Sequence, residues 1–390
     1  MAVLLGAKPP IVFKEYFLAT SQTWTAPLTG TIMVTCTGGG GQGAYSNKNN
    51  TTTQNGINKA LGGGAGGFSQ KTIPVKAGDT FTVVVGAGGR NANTNPGGST
   101  TGTSGGESTF DDATAISDIA LDSNGGAGGV STLENSAGTR AGGAGGTASG
   151  GDLNVAGGAG GTIIVSNQSS KDAATGGGAV SMYGIAFAGG NITMGGNANA
   201  HFSTGGAGCF GAGGSFVQNG TNDNFTGGTQ GGGNIGPGAS AVTANVGSNG
   251  TNQLNVVYRA SSTAISNLGA TNPQGSAAMV IGPQSSNAGS VSGSTNTAPF
   301  APGVGNSGIT CKINGSGASA KVSSEGSGPF AGGGGAVVMA NSNGFGLNSS
   351  SSNGPGGFGG GGSGGFVSQD NFLNEWFGGG QGCVIVSYIG

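Results

Sequence analysis

The residues of this chain that could carry out chemistry are few, and their spacing matches no catalytic motif. His201 is the single histidine of the sequence. No Gly-x-Ser-x-Gly turn between a strand and a helix offers it a nucleophile. A Ser-His-Asp triad with distant partners stays open, because triad residues need not be neighbours in sequence. A lone histidine is expected to be structural or solvent-facing, so the sequence predicts that the protein is not an enzyme.

Residue types that bind metals are present without a metal-binding pattern. Cys36 and Cys383 lie beside predicted strands near opposite ends of the chain, and they could approach each other without implying a disulfide. The cysteines contain no Cys-x-x-Cys pair, so we expect reduced, buried thiols and no zinc site: Cys36, Cys209, Cys311 and Cys383. Four aspartates do not match a calcium loop and are expected to be solvated: Asp111, Asp112, Asp118 and Asp122. No metal and no cofactor is predicted.

Several classes of partner are disfavoured by the sequence. Residues 62–67 satisfy G-x-G-x-x-G, but glycine is so frequent here that the match follows from composition, and no βαβ unit surrounds it. The 12 Lys and Arg residues are scattered, so no nucleic-acid site is expected. No apolar segment is long enough to insert into a membrane. Residues 1–10 lack the basic start and long apolar core of a signal peptide.

One segment combines aromatic and polar side chains more densely than any other part of the glycine-rich half, namely residues 368–377. Aromatic rings beside Asn and Glu suit contact with sugars or with a protein loop. The alternative is a short helix with Asp370 as its N-cap, which would bury three apolar residues. Residues 183–202 and 341–353 are further binding-loop candidates. The residues predicted to bind a receptor are Asp370, Asn371, Phe372, Asn374, Glu375, Trp376 and Phe377.

Glycine dominates the composition, with 93 of 390 residues, and it poses a choice between disorder and dense packing. Each glycine loses more backbone freedom on folding than alanine does, at a cost of roughly 0.5–1 kcal/mol. Disordered chains combine low hydrophobicity with high net charge, whereas this chain has a formal charge of −2 and 7% charged residues. Blocks of β-branched and aromatic residues bounded by glycine read as strands: residues 31–35, 81–85, 162–165, 254–258, 278–281, 336–339 and 383–388. We therefore predict an ordered, all-β protein.

The glycine units have a period of three, since the non-glycine residue of Gly-Gly-X recurs at every third position. The extended left-handed helix with three residues per turn has this period and no internal hydrogen bonds. Packed polyglycine II helices of this kind would bond laterally through their backbones. Collagen is excluded, because the units slip phase and the chain has 12 prolines. We predict a β-sandwich-like sheet module elaborated with packed polyglycine II helices and long loops, and little or no α-helix.

Composition divides the chain into four parts. Residues 1–35 are poor in glycine and are predicted to form strands joined through residues 24–27, as an attachment module. Residues 36–235 form the glycine-rich scaffold. Residues 236–330 are richer in Ser, Asn and Thr and read as an insertion or lobe, and residues 331–390 form a glycine-rich part with a closing strand.

These segments resemble the glycine-rich domain of bacteriophage tail-fibre and receptor-binding adhesin proteins. The resemblance rests on Trp-Thr-Ala-Pro at 24–27 with the strand and glycines at 30–41, on residues 75–89 and 105–110, and on the closing strand at 378–388. It frames the chain from about 20 to 135 and from 355 to 390. The middle is matched only by its glycine units.

The resemblance implies a virion appendage protein, a tail-fibre or fibre-tip adhesin that is made in the host cytoplasm and binds a receptor on a bacterial surface. The expected partners are other fibre or tail proteins and a protein or glycan receptor. The chain would act as a homotrimer or as one copy on a trimeric fibre. Two alternatives stay open: a structural fibre-shaft or decoration protein without receptor binding, and an ice-binding protein built from polyglycine helices.

Overall fold

The fold is taken from a computed structural model of the chain. It describes residues 14–47, 58–90, 99–113, 119–133, 137–165, 171–181, 183–194, 200–208, 211–218, 225–228, 241–242, 253–255, 277–279, 291–296, 309–313, 319–324, 332–334, 336–341, 348–353, 356–363, 365–367 and 378–389.

Within these residues every regular element is a β-strand, which confirms the all-β class. The first sixteen strands are β1 (Glu15–Leu18), β2 (Gln22–Thr25), β3 (Gly30–Thr37), β4 (Tyr45–Asn47), β5 (Asn58–Ala60), β6 (Phe68–Val75), β7 (Thr80–Val84), β8 (Ser99–Thr100), β9 (Ser108–Asp112), β10 (Ala120–Ser123), β11 (Ser131–Leu133), β12 (Gly138–Arg140), β13 (Ala148–Ser149), β14 (Leu153–Val155), β15 (Ile163–Val165) and β16 (Lys171–Ala174). The others are β17 (Ala179–Val180), β18 (Ala186–Phe187), β19 (Ile192–Met194), β20 (Ala200–Ser203), β21 (Phe216–Gln218), β22 (Phe225–Gly228), β23 (Ala241–Val242), β24 (Gln253–Asn255), β25 (Ala277–Met279), β26 (Val291–Asn296), β27 (Ile309–Ile313), β28 (Ser319–Ser324), β29 (Val337–Asn341), β30 (Asn348–Asn353), β31 (Gly365–Val367) and β32 (Cys383–Tyr388).

Two antiparallel sheets form a sandwich at one end of the molecule. Their strand orders are β1-β32-β3-β6-β14 and β13-β10-β9-β7-β2. Apolar residues alternate along these strands and meet between the sheets, as a two-residue side-chain period requires. The rings of Phe81 and Phe110 stack with centroids 4.6 Å apart, and Trp24 packs against both. Trp24 therefore lies on a strand, β2, and not in the connection that the sequence predicts at 24–27, because its indole belongs to this core.

Beyond the sandwich, the glycine segments form runs that bond to one another through their backbones. In residues 61–67 the bonding direction repeats after three residues. The amides of Gly63 and Gly66 both donate to residues 356–362. The amides one position later, those of Gly64 and Gly67, both donate to residues 124–127. Through its amides and carbonyls this run contacts residues 38–44, 124–129, 142–147, 156–161, 175–178 and 356–362. We call this assembly of runs the glycine lattice.

Solvent exposure in the glycine lattice follows the same period. In residues 141–147, the side chains of Ala141, Ala144 and Thr147 are exposed, whereas Gly143 and Gly146 between them are buried. The lateral bonds and the three-residue period are thus present. The polyglycine II conformation itself stays a prediction.

The glycines are required where neighbouring runs approach. A Cβ atom added to Gly64 would overlap the backbone carbonyl of Ala144. Ala65 is tolerated in the same run because its methyl group packs with Phe68 and Val180, where side chains and not backbone face it. Glycine here serves close approach, which is one of its ordinary uses.

Two short sheets, parallel except for one antiparallel edge strand each, continue the lattice runs on the side away from the sandwich. One has the order β11-β5-β16-β20-β22 and the other β12-β15-β19-β21-β23. A buried cluster lies between them, in which the rings of Phe202 and Phe216 stack at 4.1 Å. The strands β18, β19 and β20 correct part of the binding loop predicted at 183–202, because Ile192 and Met194 are buried in this cluster. Residues 195–199 of that loop lie outside the described residues.

The Ser/Asn/Thr-rich region also contributes strands. β25, β26, β28 and β30 form one sheet, in which β26, β28 and β30 are parallel. β24 and β27 belong to a six-stranded sheet with β29, β31, β4 and β8, in the order β24-β27-β29-β31-β4-β8. Asn348–Asn353 is therefore a strand, which corrects part of the binding loop predicted at 341–353. The division of the chain into four parts stays a prediction.

Candidate functional site at the distal end of the lattice

Chain connections gather at the end of the glycine lattice that is farther from the sandwich, which we call the distal end. Several lattice runs that leave the sandwich continue into a short strand there, as residues 38–44 continue into β4 and residues 124–130 into β11, and short strands such as β5 and β12 start the return. Leu133 at the end of β11 pairs with Asn58 at the start of β5. β16 runs parallel to β5, while β20 and β22 run parallel to β16, so all four start at the same end of their sheet.

The neighbouring sheets place their connections at the same end. Val165 at the end of β15 pairs with Gly138 at the start of β12, and β19 and β21 run parallel to β15. In the six-stranded sheet that contains β4 and β31, Val367 at the end of β31 pairs with Asn47 at the end of β4. The segments bounded by these strand ends are residues 48–57, 91–98, 134–136, 166–170, 195–199, 219–224 and 368–377.

The receptor-binding residues predicted from sequence fall in the last of these segments and lie outside the described residues: Asp370, Asn371, Phe372, Asn374, Glu375, Trp376 and Phe377. Their flanks are described. Val367 ends a distal strand, and Gly379 donates to the carbonyl of Gly89 in the lattice. The sequence of the other six segments is mostly Asn, Ser, Thr, Gln and Gly, without aromatic residues. Segment 368–377 is thus the one of these seven segments whose sequence contains aromatic residues.

Buried threonines fix the strands of the distal end to the lattice. The hydroxyl of Thr175 donates to the carbonyl of Gly161 and accepts from the amide of Gly62. Thr204 repeats this arrangement one strand along the sheet, donating to the carbonyl of Gly190. Both hydroxyls are fully buried with donor and acceptor satisfied, which is the condition for burying a polar group without a large penalty.

These threonines belong to an internal repeat that the sequence analysis missed. Gly-Gly followed by Thr, Asn or Ser and an apolar residue occurs at 160–163, 189–192 and 213–216. Thr-Gly-Gly occurs at 175–177, 204–206 and 226–228. The first two copies of each motif are offset by 29 residues (189 − 160 and 204 − 175). Comparing residues at this spacing would reveal the stacked strands, because the pairing register has the same offset.

Lys59 is a further residue of the distal end that sequence reasoning missed. It lies on β5 and is fully buried, a rare position for a lysine side chain. His201 lies on β20, where its backbone pairs with Asp172 on one side and Thr226 on the other. No motif in the sequence distinguishes either residue from an ordinary strand position.

The opposite end of the sandwich carries a cleft of about 650 Å³. It opens between the two sheets and is lined by apolar and charged residues: Val75, Phe81, Ile119, Lys76, Asp79 and Asp112. Both ends of the described chain lie near it, because Tyr388 donates to the carbonyl of Lys14 and Ile389 donates to that of Thr31. The two ends of the molecule therefore differ in composition and in what they present.

Two cysteines mark the border between the sandwich and the lattice. Cys36 pairs with Val384, and Cys383 pairs with Thr37, so the two thiols lie on opposite faces of one sheet. Both thiols are free and buried. Burial raises the pKa of Cys36 well above its ordinary value, and burial raises the pKa of Cys383 to about 12. Such thiols are inert, since the thiolate is the reactive form.

Of the four aspartates predicted to be solvated, Asp111 and Asp122 lie on the outer face of the second sandwich sheet, and Asp112 lines the cleft. Thr109 donates to Asp111, and Ser149 donates to Asp122. Partial burial raises the pKa of Asp111, with a smaller contribution from the charge of Asp122. Asp118 lies outside the described residues. Among the described residues, no group of three or more His, Cys, Asp or Glu side chains is placed to hold a metal ion.

A search of the described residues for membrane-crossing helices finds none of sufficient length and hydrophobicity. The family model of the glycine-rich domain matches residues 18–253, more than half of the chain. The chain belongs to the glycine-rich domain family. In this family member the matched region contains the sandwich strands from β2 to β14 and most of the lattice runs described above. Comparison with curated proteins gives no match.

Proposed function

We propose that this glycine-rich domain protein is a bacteriophage virion appendage protein, a tail-fibre or fibre-tip adhesin that binds a receptor on the host surface. The observation that carries the proposal is that the ends of many described strands meet at the distal end, on strands anchored to a backbone-bonded lattice. A scaffold whose ordering cost is met on folding loses less entropy when it binds. The resemblance of residues 24–41, 75–89 and 378–388 to phage adhesin domains gives the class.

The mechanism is passive presentation, without catalysis. Lattice runs cross from the sandwich to the distal end and return, so strand ends that are far apart in sequence lie together there. The aromatic segment 368–377 supplies the anchor, and the surrounding Asn, Ser and Thr supply hydrogen bonds to a protein or glycan receptor. The sandwich end, with its cleft and both described chain ends, is assigned to attachment to other fibre or tail proteins.

The test is binding of the purified full chain to cells of the bacterium that the phage infects, and competition with phage adsorption. Replacing residues 370–377 by an equally long Gly/Ser segment should abolish both effects. A Lys76→Ala variant at the opposite end is the matched control and should bind as the unmodified protein does. Binding to virions without binding to cells would contradict the adhesin and favour a structural virion protein.

A further inference from the structure

The cleft at the sandwich end penetrates between the two sheets and reaches their apolar core. Val75 lines it from the first sheet and Phe81 from the second, and both belong to the buried cluster of the sandwich. Ile119, which packs against the same cluster, lines it as well. Its volume of about 650 Å³ lies within the range of about 300–1,000 Å³ of pockets that bury most of a ligand. The cleft therefore has room for several apolar side chains.

The rim of the cleft carries exposed apolar side chains. Leu28 and Ile389 are each 44% exposed. Leu28 directly precedes the rim residues Thr29 and Gly30, and the amide of Ile389 donates to the carbonyl of Thr31, which also lines the cleft. The sandwich end thus combines an apolar cleft with exposed apolar residues beside it.

Tyr388 connects this rim with the point at which the described chain begins. Its amide donates to the carbonyl of Lys14, and its hydroxyl donates to the carbonyl of Leu28 at 2.9 Å. Burial raises the pKa of Tyr388, and the charges of Tyr16 and Asp79 contribute to the rise, because Tyr16 on β1 and Asp79 in the cleft both lie near it. The start of β1 and the cleft are therefore separated by about one tyrosine side chain.

The segment that precedes Lys14 has the sequence expected of an occupant for this cleft. Residues 1–13 are mostly apolar, and Lys8 is their one charged residue. Water disfavours an exposed segment of this composition, and burial of its apolar area is favourable. Pro9 and Pro10 have no backbone N–H, so their burial leaves no amide without a partner.

We propose that residues 1–13 cover the cleft of their own chain. Thirteen extended residues span about 40 Å at about 3.3 Å each. β1 is separated from β3, whose start lines the cleft, by the single strand β32, so the gap is about 10 Å at two strand spacings. The carboxylates of Asp79 and Asp112 in the cleft outnumber the ammonium of Lys76, which suits the positive charge of Lys8.

The choice of the chain's own segment over that of a second copy follows from the tether. A segment joined to β1 is held near the cleft at an effective concentration in the millimolar range, which the same segment of another chain does not reach in dilute solution. The surface offered to other fibre or tail proteins at this end then consists of residues 1–13 with the rim, and not of an open cleft. This inference does not depend on receptor binding at the distal end.

The first test uses the dye ANS, whose fluorescence reports exposed apolar surface. Polar substitutions within the segment should open the cleft and raise the fluorescence of the full chain at least about five-fold. The variant carries Leu4→Ser, Leu5→Ser, Ile11→Ser and Val12→Ser together. The matched control makes the same kind of change at four exposed apolar positions away from the cleft, and it should not raise the fluorescence: Val84→Ser, Val130→Ser, Leu153→Ser and Ile164→Ser.

Carbodiimide cross-linking of the unmodified chain gives a second readout that does not depend on the folding of variants. Peptide mass spectrometry should find Lys8 joined to Asp79 or to Asp112, and Lys8→Ala should lose these links. An equal mixture of isotope-labelled and unlabelled chains should give links of one isotope only. Links of mixed isotope would assign the segment to a second copy and overturn the proposal. Unchanged ANS fluorescence in the segment variant, or no link from Lys8 to the cleft, would overturn it as well.

Discussion

The sandwich and the glycine lattice lie in one chain and are stabilised by opposite means. In the sandwich, large side chains such as Trp24, Phe81 and Phe110 fill the space between two sheets. In the described part of the lattice, the backbone amides and carbonyls of neighbouring glycines meet directly. Burial of apolar area stabilises the first region. Lateral hydrogen bonds, each worth about 1 kcal/mol net, stabilise the second.

The two regions therefore differ in which change of side-chain size they tolerate. A sandwich position accepts a smaller side chain at the cost of a cavity. Most described lattice glycines accept no larger side chain, because an added Cβ would overlap a backbone carbonyl of another run. Each of the following predictions tests this contrast.

The largest effect is expected for Gly64→Ala. The added methyl group would overlap the carbonyl of Ala144, which can move only if its whole run moves. We expect the free energy of unfolding to fall by more than about 4 kcal/mol, which is exceptional for a point substitution. Chemical denaturation measures it. Gly78→Ala is the control, since its added Cβ would meet no atom within 4 Å and only the φ of 96° opposes it. Equal losses in both variants would contradict the packing argument.

In the sandwich, Phe110→Ala should lower the free energy of unfolding by about 3–5 kcal/mol through the cavity it leaves. Phe110 is fully buried against Phe81. The exposed Val84 on β7 gives a matched control, because Val84→Ala should change the free energy by less than about 0.5 kcal/mol. Denaturation of the two variants under identical conditions decides the comparison. A loss below 1 kcal/mol for Phe110→Ala would show that the lattice alone sets the stability.

Where lattice and distal strands meet, Thr175→Val keeps the shape of the side chain and removes the hydroxyl. The amide of Gly62 and the carbonyl of Gly161 would lose their buried partner. We expect a loss of about 1–3 kcal/mol, the penalty of leaving buried polar groups unsatisfied. Thr175→Ser retains the hydroxyl and should recover most of this loss. If Ser and Val variants unfold at the same denaturant concentration, the hydrogen bonds contribute nothing.

The thiols at the border predict a loss of stability at high pH. An unfolded cysteine ionises near pH 9, while burial raises the pKa of Cys383 to about 12. Below pH 9 both states carry the thiol, so stability is fully present there. Above it, only the unfolded state gains a thiolate, and the free energy of unfolding falls by up to about 1.4 kcal/mol per pH unit for this group. Cys383→Ala should unfold with a shallower pH dependence between pH 9 and 12, and identical slopes would refute this.

The smallest effect is expected on the outer face of the sandwich. Burial raises the pKa of Asp111, so its charged form is disfavoured in the folded state. Below its unfolded pKa the carboxyl is neutral in both states, and stability is lost as pH rises through the folded value. Asp111→Asn should therefore raise the melting temperature slightly at pH 7 and leave it unchanged at pH 3. A lower melting temperature at pH 7 would mean that the carboxylate is stabilising.

Local sequence predicted much of the fold because its signals act over short range. The apolar blocks at 31–35, 81–85 and 383–388 are strands in the structure, since alternation and β-branching are properties of a few consecutive residues. The three-residue period of Gly-Gly-X likewise predicted lateral bonding, because it sets where each amide points. Trp24 was misplaced into a connection, because flanking Thr and Pro do not reveal that β7 pairs with it.

By itself, then, the sequence determined the all-β class and the lateral bonding of glycine runs. The tertiary structure alone decided which runs are neighbours and which segments share the distal end. Those choices depend on contacts between residues such as Gly40 and Gly380, which are 340 positions apart (380 − 40) and carry no side chain to identify a partner. A glycine in a run indicates that another backbone approaches it closely. Which run that backbone belongs to is decided only by the folded arrangement of all the runs.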